Sequence, residues 1–171
     1  MKVFQVFIWF CAFTITTQAQ VDHSIWNGLL SKHVSAEGWV SYNGLKKDSL
    51  QLNQYLDLLS SNPPKEDWAA NQKLAYWINA YNAFTVKLIT DHYPVSSIKD
   101  IKKGIPFVNS VWDIKFFEIG GNKMDLNEIE HSILIKQFDE PRIHFAIVCA
   151  SKSCPKLRNE AFTAKKLEQQ L

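Results

Sequence analysis

Asp67-Trp-Ala-Ala-Asn-Gln-Lys-Leu-Ala-Tyr-Trp77-Ile-Asn-Ala-Tyr-Asn82-Ala-Phe-Thr-Val-Lys-Leu-Ile-Thr-Asp-His-Tyr93 is the stretch on which the fold turns. Neither Gly nor Pro interrupts it. Leu74, Trp77, Ile78, Tyr81, Thr85, Leu88 and Ile89 form a broad apolar stripe at helical spacing, so one long helix is predicted, ended by Pro94. Asn71, Ala75, Asn79, Asn82 and Val86 share a second face. Asparagine is a middling-to-poor helix former, so Asn79 and Asn82 in mid-helix ask for a reason. They lie on an exposed face, or bond neighbouring loops as core amides, or orient a ligand or a catalytic side chain.

Upstream, Asp22 or Ser24 can cap a helix over 25–33, and 38–42 reads as a brief extended piece. Leu50, Leu52, Tyr55, Leu56 and Leu59 predict a second helix over 49–60, broken by Ser61-Asn-Pro-Pro64. Downstream, Trp112, Ile114 and Phe116 alternate in a strand over 111–119, Gly120-Gly-Asn122 turns, and Lys123-Met124 starts a return strand. Asp125-Leu-Asn-Glu128 resembles a capping box and opens a helix over 126–137. Asp139-Glu-Pro141 turns into a strand over 142–148, and Pro155 suits the first position of a last helix reaching Leu171. The expectation is an α+β fold: a mostly helical single domain with a small antiparallel sheet, its core built on the long helix.

Residues 1–19 read as a secretory signal peptide. Lys2 is a weak positive start, Val3 to Ile15 a mostly apolar run, and Thr17-Gln-Ala19 a small-residue cleavage site. The run is too short to cross a bilayer comfortably, and no other segment offers about 18 unbroken apolar residues. The mature chain is therefore expected to be secreted or periplasmic, with no membrane span. Removing residues 1–19 from the 171 leaves 152, enough for one domain over 20–171 with a proper core; the formal charge falls from +2 to +1. The lysines are scattered rather than gathered in a stripe, so nucleic acid is not an expected partner. A small-molecule or envelope ligand is.

The chemistry concentrates in Arg142-Ile-His-Phe-Ala-Ile-Val-Cys149-Ala-Ser-Lys-Ser-Cys154-Pro-Lys-Leu-Arg158. In strand alternation His144, Ala146 and Val148 share one face. Cys154, at the start of a helix, would have a depressed thiol pKa. A thiolate beside an imidazole is the pairing that acyl transfer uses. Cys149 and Cys154 are also the only cysteines left after processing, and in an oxidising compartment they can form a disulfide. Glu130 and His131 make a second cluster, although adjacent helical residues point about 100° apart; Glu128 and His131 share a face. A zinc site would draw on His131, His144 and a thiolate. The chain has no His-x-x-x-His or Cys-x-x-Cys pair, so no cofactor is expected. Arg142 can pair with a carboxylate such as Glu130, close the Asp139-Glu140 turn, or clamp an anionic ligand.

Trp77-Ile-Asn-Ala-Tyr-Asn82, Leu126-Asn-Glu-Ile-Glu-His131 with Ile133-Leu134 after it, and the 142–158 stretch together resemble domain-of-unknown-function family 547, over about residues 68–162. The resemblance implies that Asn79, Tyr81, Asn82, Glu130, His131, Arg142, His144, Cys149, Ser151 and Cys154 form the family's pattern. It also implies a missing C-terminal part, because members usually continue with further helix and an aromatic-rich end. It brings no established reaction. Two readings stand. In one, the chain is a thiol- or His-dependent hydrolase or acyl transferase of the cell envelope. There Cys154 is the nucleophile, His144 the base, Glu130 and His131 further catalytic groups, and Asn79, Asn82, Tyr81, Arg142 and Ser151 hold substrate. In the other, it is a non-catalytic ligand- or protein-binding module with a structural Cys149–Cys154 disulfide.

Overall fold

A computed structural model of the chain describes residues 21–101, 110–150 and 154–171. The expected signal peptide lies outside them. Helices α1 (Ser24–His33), α2 (Tyr42–Lys47), α3 (Ser49–Ser61) and α4 (Ala70–His92) come first. The chain passes from α4 through a cis Tyr93–Pro94 bond. Strands β1 (Phe117–Ile119) and β2 (Asn122–Met124) follow, then α5 (126–137), α6 (Ile143–Ala146) and α7 (Leu167–Gln170). This is the mostly helical α+β domain expected.

Helix α4 is the centre. At 1.5 Å per residue it is about 34 Å long, and from Leu74 to Thr90 only Trp77 and Lys87 escape full burial. A helix apolar on nearly every side needs neighbours on every side; α2, α3 and α5 all pack against it. The Trp26 ring of α1 stacks on Tyr55 of α3 at 5.7 Å. Phe84 of α4 stacks on Phe117 of β1 at 3.9 Å. The Tyr76 hydroxyl donates to Leu59 O at 2.7 Å, which fixes α4 against the end of α3.

The expected extended piece at 38–42 shrinks to one antiparallel bridge, Val34 with Val40. The chain then enters α2, whose N-cap Ser41 accepts from Gly44 N–H at 3.3 Å. Gly44 is required there, because a Cβ would collide with the His33 ring.

The predicted strand over 111–119 survives only at its end. Val111–Asp113 is a 3-10 turn capped by Ser110, and β1 pairs antiparallel with β2, Phe117 opposite Met124. Gly120 and Gly121 turn the hairpin at positive φ, 59° and 79°. In α5 the Asp125 carboxylate accepts from Glu128 N–H at 2.8 Å, as a capping residue should. The helix is widened to π geometry over Glu128–Leu134. No helix among the described residues is long and apolar enough to cross a membrane.

Two expectations are overturned after residue 138. The 142–148 stretch is not a strand: it forms α6, opened by Arg142 N–H donating to Glu140 Oε1 at 3.0 Å, and only then becomes extended. Ile143 and Ala146 are its buried residues, at helical spacing, whereas His144 and Phe145 face solvent. The helix expected from Pro155 to Leu171 is also absent. Residues 154–160 run without regular structure, and the helix is confined to Leu167–Gln170. Cys154 therefore does not stand at a helix N-terminus.

Candidate functional site

The two mid-helix asparagines are buried and fully engaged. Asn82 Nδ2 donates to Ala146 O at 2.9 Å, and its Oδ1 accepts from Val148 N–H at 3.0 Å. One turn away, Asn79 Nδ2 donates to Phe162 O at 2.8 Å and Oδ1 accepts from Phe162 N–H at 3.0 Å. A carboxamide presents a donor and an acceptor side by side, as a neighbouring strand would. Each asparagine thus satisfies one backbone N–H and one C=O of a separate segment. Buried backbone has to be bonded somewhere, and the second segment shows how completely side chains can do it. Ala161 N–H goes to Asn27 Oδ1 at 3.0 Å, Ala161 O takes Gln170 Nε2 at 2.9 Å, and Thr163 N–H goes to Gln170 Oε1 at 2.9 Å. Sequence reasoning missed Asn27 and Gln170; nothing in their local pattern sets them apart from surface amides.

The buried Tyr81 hydroxyl donates to Glu130 Oε2 at 3.0 Å, tying α4 to the π turn of α5. Burial and the Glu130 carboxylate both push the Tyr81 phenol well above its ordinary pKa, so it stays a donor. Arg142 does not reach Glu130. It makes a two-bond fork to Glu140, 2.8 and 2.6 Å, and a second to Glu168 of α7, 2.9 and 3.1 Å. Its hydrogen bonds hold the Glu140 carboxyl down at about 2. Arg142 thus closes the turn after Asp139 and fastens α7.

Cys149 and Cys154 form a disulfide, their Cα atoms 6.0 Å apart. His131 and His144 are both exposed, and no hydrogen bond among the described residues joins either to Glu130 or to a cysteine. Ser151 lies outside the described residues. Among those described, no three His, Cys, Asp or Glu side chains converge as a metal-binding group.

Beside the disulfide lies a cleft of about 450 Å³, lined among others by Ala36, Phe145, Lys156, Leu157, Arg158 and Asn159. Phe145 is 74% exposed, and Trp39, in the turn that carries Ala36, is 72% exposed. In a strand Phe145 would have faced away from His144; in α6 both face solvent, and the aromatic ring stands open at the cleft.

The chain matches no curated protein and no solved structure. The model of one protein family, described as "Protein of unknown function, DUF547", matches residues 65–171. That span takes in α4 with its two clamping asparagines, the Tyr81–Glu130 bond, the Arg142 forks and the disulfide, and over it the chain belongs to the DUF547 family.

Proposed function

We propose that this domain is a non-catalytic binding module of an exported protein, with the Cys149–Cys154 disulfide as a structural clip. One observation supports it above others: among the described residues, the thiol, the two asparagines, Tyr81 and Arg142 are already committed to other partners. The Cys154 sulfur is bonded to Cys149, both ends of Asn79 and Asn82 hold backbone, Tyr81 holds Glu130, and Arg142 holds two glutamates. His131 and His144 are open to water, whereas electrostatic catalysis works best in a preorganised, water-excluding site. Export is supported by Lys2, the apolar run after it and Thr17-Gln-Ala19, and by a disulfide of the kind that oxidising compartments preserve.

Mass spectrometry and alkylation of the native protein from producing cells test both halves. The expected result is a mature N-terminus at or near Gln20, a mass two hydrogens below the dithiol, and no iodoacetamide labelling without reductant. Labelling of Cys154 in the native protein, with an apparent pKa well under about 8.5 that shifts in His144→Ala, would return the site to thiol chemistry. An intact Met1 would remove export.

A further inference from the structure

We infer that the cleft at Phe145 and residues 155–159 binds the C-terminal carboxylate of a peptide whose last side chain is apolar or aromatic. This rests on the binding-module reading and gives it a ligand class. Three features of the cleft carry it.

The first is charge. The described lining residues include two cations, Lys156 and Arg158, and no carboxylate. Both cations are positioned. Gly38, at φ +83°, packs so closely on Lys156 that a Cβ would come within 2.6 Å of the Lys156 Cβ, so the turn fixes where that stem leaves the backbone. Arg158 donates to Gln170 O at 3.3 Å and to Glu160 Oε1 at 2.7 Å, and its guanidinium carbon lies 6.0 Å from the centre of the Phe162 ring. These contacts set the plane of its fork. Glu160 holds Arg158 and also Lys166 at 3.4 Å, and Glu37 lies near enough to Lys156 to feel its charge, so three cations stand against two carboxylates. An oriented guanidinium with an ammonium two residues away is suited to a carboxylate.

The second is the open aromatic face. Phe145 is far more exposed than any packing role requires, and its ring offers an apolar wall beside the cations. An exposed aromatic next to a concave charged surface has the make-up of a binding anchor.

The third is how few free amide and hydroxyl groups the described lining residues offer. A sugar acid would also bring a carboxylate, with hydroxyl groups that need amide and hydroxyl partners. The Gln170 carboxamide at the cleft is used at both ends, on Thr163 and Ala161. Among the described lining residues that leaves Asn159 as the side-chain amide, fewer than a hydroxylated ring would call on and enough for a peptide terminus.

Titration of the full-length protein with N-acetyl-phenylalanine, followed by NMR and calorimetry, tests the assignment. Binding in the millimolar range or tighter is expected, with N-acetyl-phenylalaninamide, which lacks the charge, about tenfold weaker. Phe145→Ser and Lys156→Gln should each weaken binding by about fivefold, through lost apolar burial and a lost partly exposed ion pair. Neither should change the melting temperature, because both side chains are exposed. Absent binding, binding unchanged by both variants, or a preference for glucuronate overturns the assignment of this cleft. The binding-module reading then still stands or falls on the thiol state of Cys154.

Discussion

Asn82 does the work of a missing strand, and its replacement shows how much that is worth. In Asn82→Leu the side chain still fits an apolar helix, but Ala146 O and Val148 N–H lose their partner inside the core. Two buried backbone groups left unbonded should cost about 3 kcal/mol, read as a fall in the urea midpoint. Asn79→Leu should cost a similar amount at Phe162, while Asn71→Leu, on the exposed first turn, should cost little. His23 sets the response to acid. It is buried beside Tyr55, its Nδ1 within 2.7 Å of the phenol oxygen, and burial lowers its pKa from 6.5 to about 4. The neutral ring is favoured in the folded state, so its contribution is complete above pH 6.5 and is lost as pH falls through 4. The loss should reach about 3 kcal/mol. Denaturation curves between those pH values should show the slope, and His23→Gln should flatten it. The Glu140 contribution falls lower still, between the ordinary carboxylate range and about 2, so the two steps separate.

At the scale of elements, the joint between α4 and α5 rests on the Tyr81–Glu130 bond. Tyr81→Phe should lower stability by about 1 kcal/mol, measured by urea unfolding, with little change in helix content by circular dichroism. Gly44→Ala should be destabilising for a different reason: its Cβ displaces His33, which otherwise holds Asp48 at 2.6 Å and so ties α1 to α2. Helices α1, α3, α4 and α5 were legible in the sequence because each is long enough for its apolar period to repeat, and two carry punctuation in Pro94 and Asp125. The short elements were not. Over 142–148 the apolar residues fit alternation and helical spacing equally well, and what decides lies outside the stretch: Glu140 just before it and Asn82, far off in sequence, at its end. Pro155 can open a helix, but here the chain must reach inward so that Ala161 and Phe162 meet Asn27 and Asn79. That Asn79 and Asn82 bond neighbouring loops as core amides was legible as one of three alternatives, because a carboxamide that holds backbone reads the same as one that holds substrate; which backbone they hold, at Ala146, Val148 and Phe162, was not.

For the molecule as a whole, the disulfide closes a short loop and should contribute modestly. Loop-closure entropy for cysteines five residues apart gives about 2 kcal/mol, so mild reduction should lower the urea midpoint without unfolding the domain. If reduction instead abolished the transition, the clip would be holding much more than its own loop. The amide clamps bear on the order in which the chain can become stable. Asn82 is separated from its partners by 64 and 66 positions, and Asn79 from its own by 83. During synthesis α4 emerges with two core amides whose partners are still inside the ribosome. Until residue 162 has emerged, burying this helix leaves polar groups unbonded, so partial chains are held back from premature collapse. The last third of the domain is thereby a condition for the middle third to settle, and a released fragment ending at residue 145 should remain protease-sensitive while the chain through Leu171 should not.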